Sequence, residues 1–102
     1  MLKVIFLMGR KEGLSLKNFK EWLVNEHIDY AHKLPGLKKY TANLVVDENN
    51  DEPYDAVTEL YFEDKAAIED AFDSEVGQAA GENVVANCSN TDRMICEEKS
   101  LI

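Results

Sequence analysis

The sequence predicts an α+β domain of the ferredoxin-like type, β-α-β-β-α-β: an antiparallel sheet with two helices on one face. Three observations predict it. Four segments carry strand-type patterning, a continuous apolar run or strict alternation. Two segments carry apolar residues at helical spacing. The two kinds interleave in the order strand, helix, strand, strand, helix, strand, which places both helices on one side of a single sheet. With 102 residues the chain has material for one core, so residues 1–102 form one domain.

Each element has its own signal. Lys3 to Gly9 holds the run VIFLM and reads as a strand covered on both faces. Gly13 closes the loop that follows. Ser15 is suited to cap a helix whose stripe comprises Phe19, Trp22, Leu23, Glu26, His27 and Tyr30. Lys17, Lys20, Glu21 and Asn25 form its wet side, and Pro35-Gly36 ends it. Leu37 to Asp47 alternates, with Tyr40, Ala42, Leu44 and Val46 on one face and Thr41, Asn43 and Val45 on the other. The polar stretch Glu48 to Pro53 turns the chain. Ala56 to Phe62 alternates again and pairs antiparallel with the preceding strand. Asp64 caps a helix carrying Ala67, Ile68, Ala71 and Phe72. Ser74 caps a short continuation through Val76, Ala79 and Ala80, which Gly81 is expected to end. Arg93 to Glu97 supplies the last strand.

Charge narrows the function. Twenty acidic against eleven basic residues give a formal net charge of −9, which repels phosphate backbones and anionic lipid. Neither nucleic acid nor a membrane is therefore an expected partner. The opening apolar run is too short to span a bilayer and lacks a small-residue cleavage site. Cys88 and Cys96 match no metal or redox spacing and read as reduced thiols, which points to the cytoplasm. No phosphate loop, dinucleotide turn, nucleophile elbow or metal-spaced cluster occurs, so no cofactor is expected.

The strands carry apolar residues on both parities. Two helices cover one face, and the other face needs a second cover. A second copy of the chain would supply it, giving a homodimer in the form of a dimeric α+β barrel.

Candidate chemistry gathers on a few residues. His27 lies on the inward stripe and titrates near neutrality, so it is a candidate acid or base. A core histidine bonded to a backbone carbonyl is the alternative. His32, five residues on, falls on the outside. Glu59 sits mid-strand between Val57 and Tyr61, where a carboxylate must be paired or protonated if buried. Asn43 is a mid-strand amide able to hold a carbonyl or enolate oxygen. Trp22, Tyr30, Tyr40 and Tyr61 could wall a pocket with flat rings and polar tips.

Phe19-x-x-Trp22-x-x-x-x-His27, followed by Leu34-Pro35-Gly36-Leu37-x-x-Tyr40-x-x-Asn43, resembles the signature region of the EthD family. Tyr54 to Phe62 is similar to that family's third strand, and the opening KVIFLMGRKEGLS and Phe72-x-Ser74-x-x-Gly77 also fit. Two stretches depart from it: Ile28-Asp29-Tyr30 lacks a proline after the motif histidine, and Asn83-Val84-Val85 lacks an aromatic residue. The resemblance implies a dimeric α+β barrel. It places this chain beside cofactor-free monooxygenases, polyketide cyclases, isomerases and dehydratases of the same fold, with His27, Tyr40, Asn43 and Glu59 at motif positions. Three readings follow. In the first, the protein is a cofactor-free enzyme acting on a small apolar or cyclic metabolite, with His27 moving a proton, Glu59 sharing it and Asn43 holding an oxygen. In the second, it is a non-catalytic module that binds such a ligand for a neighbouring enzyme. In the third, Tyr40 and Val45 merely build a dimer interface.

Overall fold

The computed structural model describes residues 1–102. Strand β1 spans Leu2–Arg10, β2 Lys39–Leu44, β3 Ala56–Phe62 and β4 Cys88–Cys96. Helix α1 covers Leu16–Glu21 and passes into a π-helical segment, Trp22–His27, then α2, Ile28–Ala31. Helices α3, Lys65–Asp73, and α4, Glu75–Asn87, follow β3. The sheet is antiparallel throughout, in the order β2-β3-β1-β4. This is the ferredoxin-like α+β arrangement expected from the sequence.

The caps act as their residue types dictate. Ser15 Oγ accepts from Asn18 N at 3.1 Å, Asp64 Oδ1 from Ala67 N at 2.9 Å, and Ser74 Oγ from Gly77 N at 3.1 Å. Ser74 also donates to Ala71 O at 2.6 Å, so one hydroxyl ends α3 and begins α4. Gly36 holds φ +77 after the first helical stretch, a value L side chains rarely adopt.

Three boundaries differ from expectation. Gly81 does not end α4, which runs on to Asn87 and passes directly into β4. A helical glycine costs only about 1 kcal/mol against alanine. Val84 beyond it packs on the core and offsets that cost. The last strand accordingly starts at Cys88, five residues earlier than Arg93. The second strand is shorter than Leu37 to Asp47, because its ladder pairs only Lys39 to Leu44 with β3 and Val46 projects into solvent.

Register sorts the sheet into two faces. Tyr40, Leu60 and Val4 lie side by side on the helix-covered face, as do Phe6 and Thr58. Beneath the helices the core forms two clusters. One joins Val4, Leu34, Leu60, Phe62, Ile68 and Ala71; the other joins Met8, Phe19, Trp22, Leu23, Ala56 and Cys88. Phe6 packs against both.

The outer face is mixed rather than uniformly apolar. Ile5, Leu7 and Val57 form a half-buried apolar strip. Beside it Lys3 Nζ bonds Glu59 and Glu98, while Thr41 and Asn43 donate to Glu59 at 3.2 and 3.4 Å. No helix is long and apolar enough to cross a membrane.

Candidate functional site

Between the two core clusters lies a cavity of about 350 Å³, bounded by the sheet, α2 and α4. It exists because small residues meet there. Thr58 on β3, Ala31 on α2, and Gly77, Ala80 and Gly81 on α4 line it without filling it. Gly77 lets the start of α4 approach α3, since a Cβ there would run into the Ala71 carbonyl and the Phe72 backbone. The walls are otherwise apolar, with Phe6, Leu34, Leu60, Phe72 and Val84 among them. Arg93 stands at the margin, its guanidinium 5.3 Å from the Phe72 ring centroid.

His27 lines this cavity and is 8% exposed. The π-helical segment puts it there. In an α-helix at 3.6 residues per turn, a residue five positions on lies about 140° around the axis. Bonds of the i→i+5 type bring Trp22 and His27 back to one side. Their rings are 4.9 Å apart, and both reach Asn83 of α4. Trp22 Nε1 donates to Asn83 Oδ1 at 2.9 Å, and His27 Nδ1 meets the same oxygen at 2.8 Å.

This shared oxygen fixes the protons. An indole N–H can only donate, so Asn83 presents its carbonyl oxygen, which can only accept. The proton therefore sits on His27 Nδ1, and Nε2 keeps its lone pair. Burial lowers the His27 pKa below its usual 6.5, against an opposing pull from the Asn83 bond. The ring is neutral at neutral pH. Tyr40 also lines the cavity, and burial alone pushes its phenol up to about 12, so it stays protonated. Tyr30 packs on the far side of His27, with ring centroids 5.6 Å apart.

The sequence-derived candidates divide between the faces. His27, Tyr30 and Tyr40 meet at the cavity, and Trp22 stands behind His27 as a support. Glu59, Asn43 and Tyr61 lie on the outer face, with the sheet between them and His27. Glu59 therefore cannot share a proton with His27 within one chain, nor can Asn43 hold an oxygen at the same site. Alternate side chains on a strand point to opposite faces, and Glu59 follows Thr58, which faces the helices. Its bond to Lys3 lowers the Glu59 pKa, so it is an ionised structural carboxylate. Tyr40, facing the cavity, is not placed to bridge two outer faces. The alternative of His27 bonded to main chain is likewise replaced by the bond to Asn83.

Asn83 is the site residue the sequence reading missed. Its signal was the helical period: Val76, Ala80 and Val84 continue one stripe through Gly81, with Asn83 and Asn87 beside it. No group of three or more His, Cys, Asp or Glu residues is placed to hold a metal ion.

Comparison with known proteins agrees with the fold. A structure of an ethyl tert-butyl ether d (EthD) family protein from Bacillus halodurans superposes with a TM-score of 0.82 at 25% identity, covering 97% of this chain and 99% of that one. A dimeric ferredoxin-like protein of unknown function from Jannaschia gives 0.70 at 24% identity, covering 95% and 98%. SnoaB, a cofactor-independent oxygenase from Streptomyces nogalater, gives 0.71 at 11% identity, covering 99% and 95%, a likeness of fold alone. No curated protein matches the sequence. The EthD domain pattern matches residues 11–90, most of the molecule. The chain belongs to the EthD family.

Proposed function

We propose that this protein is a cofactor-free enzyme that takes a proton from a small, largely apolar cyclic ligand held in the cavity. One observation carries the reading: the Trp22–Asn83–His27 relay leaves a neutral imidazole with its Nε2 lone pair free in an apolar cavity. Nε2 accepts a proton from an acidic C–H or O–H of the ligand, giving an imidazolium and a ligand anion. Isomerisation, dehydration and cofactor-free oxygenation can all begin from such an anion. The protonated Tyr40 hydroxyl is available to donate to its oxygen. The fold likeness to a cofactor-independent oxygenase fits this class of chemistry.

A second reading, a binding module without turnover, draws on the absence of any carboxylate beside His27: its one side-chain partner is an amide. Deuterium exchange separates the two. 1-Tetralone, a bicyclic enolisable ketone, is incubated with the protein in D2O, and loss of its α-proton signal is followed by NMR. Exchange above the buffer rate is expected, falling at least tenfold in His27→Gln. Gln keeps a donor toward Asn83, whereas Ala would open a hole beside Trp22 and Tyr30. Binding without exchange in the native protein would favour the module.

The protein acts as a pair in this proposal. A second copy seated on the Ile5–Leu7–Val57 strip would shield apolar surface that the helices leave open, and relatives of this fold are described as dimeric. Two cysteines without a disulfide, Cys88 and Cys96, suit a reducing cytoplasm.

A further inference from the structure

Thr58 is an anomaly in the packing. It is 1% exposed, stands on the sheet wall of the cavity, and its Oγ1 has no hydrogen-bond partner. It is the one buried side-chain polar atom of the molecule in that condition. A buried hydroxyl without a partner is destabilising, and a valine of the same shape would remove the cost. The same wall carries Tyr40, two residue pairs along the sheet, whose phenol burial keeps protonated.

We infer that Thr58 is a specificity-determining residue, its hydroxyl turning about χ1 to meet an oxygen on the ligand. The cavity thus takes oxygenated rings, ketones or phenols, in preference to the hydrocarbons that its apolar walls alone would admit. A site built to bond an oxygen rejects the analogue lacking it, because the site's own polar group is then left unpaired. Tyr40 offers a second donor on the same wall. The inference rests on the reading of the cavity as a ligand site given above, but not on proton transfer by His27.

The test compares 1-tetralone with tetralin, the same bicycle without the carbonyl, by chemical-shift titration of the native protein, Thr58→Val and Thr58→Ser. Thr58→Val should weaken tetralone relative to tetralin by about 5–10-fold, the range one hydrogen bond commands. It should also raise the melting temperature by about 2–8 °C, as an orphaned hydroxyl is removed. Thr58→Ser should keep the tetralone preference. A Thr58→Val protein that melts lower than the native protein with an unchanged ligand ratio overturns the inference. So does a native protein that binds neither probe at millimolar concentration. Intact Thr58-dependent discrimination without deuterium exchange would sink the role given to His27 and uphold the one given to Thr58.

Discussion

Replacing Asn83 with alanine tests the centre of the site. The amide oxygen serves two donors, Trp22 Nε1 and His27 Nδ1, on rings that are 5% and 8% exposed. A buried donor deprived of its acceptor costs about 1–3 kcal/mol. His27 borders a cavity where water can repay part of that, so about 2–3 kcal/mol for the pair is the expected loss. In a domain of this size each kcal/mol lowers the midpoint by about 4–8 °C, so Asn83→Ala should melt about 8–24 °C below the native protein. A second readout isolates the relay from mere packing. Ring 15N–1H correlation spectra should show His27 protonated on Nδ1 in the native protein and redistributed between both nitrogens in the variant. Asn83→Asp should raise the His27 pKa by setting a carboxylate against the ring. A midpoint shift under about 3 °C, or a His27 tautomer unchanged in Asn83→Ala, would refute the reasoning.

Acid should weaken the protein in two stages. His27 titrates below 6.5 when folded, so the unfolded chain binds more protons as pH falls through 6.5, and stability drops there. Urea midpoints at pH 7.5 and 5.5 should show this first stage in the native protein and lose it in His27→Gln. The second stage lies below the ordinary carboxylate value of 4.5, where Glu59 and Glu98 protonate and release Lys3; Lys3→Met should blunt it in acid titrations followed by circular dichroism. Val57→Lys, in the middle of the outer apolar strip, should convert a dimer to a folded monomer in sedimentation velocity. A native protein already monomeric at micromolar concentration would remove the basis for the pair.

The fold was legible because burial imposes period 2 on strands and capping chemistry is local. Ala56 to Phe62 alternates without a break, and the structure buries its even-numbered residues against the helices. Ser15, Asp64 and Ser74 cap as their hydroxyl and carboxylate groups require. The site was half legible. His27 could be placed on an inward stripe and Tyr40 among the walls of a pocket, but pairing His27 with Glu59 treated the two sides of the sheet as one room. Strand parity separates Thr58 from Glu59; only the structure says which of them faces the helices. Asn83 was hidden because a glycine two residues earlier reads as a stop, and nothing local announces that Val84 will hold the helix together beyond it. The π-helical turn is invisible for a related reason: Trp22 and His27 sit on a stripe that ordinary α periodicity already explains through Phe19 and Leu23.

That widened turn has an evolutionary consequence. It accommodates one residue more than an α-helical path of the same length would need, so a single-codon deletion there is one that the rest of the fold can absorb. Deleting one residue between Trp22 and His27 would let the backbone relax to ordinary winding, with the two rings four residues apart and still on one face, and everything after it would keep its place. Sheet, caps and both core clusters could survive that change, whereas α-winding with every residue kept would turn indole and imidazole about 140° apart and off their common amide. Within this architecture, which rings reach Asn83 is a matter of helical phase before it is a matter of side-chain identity.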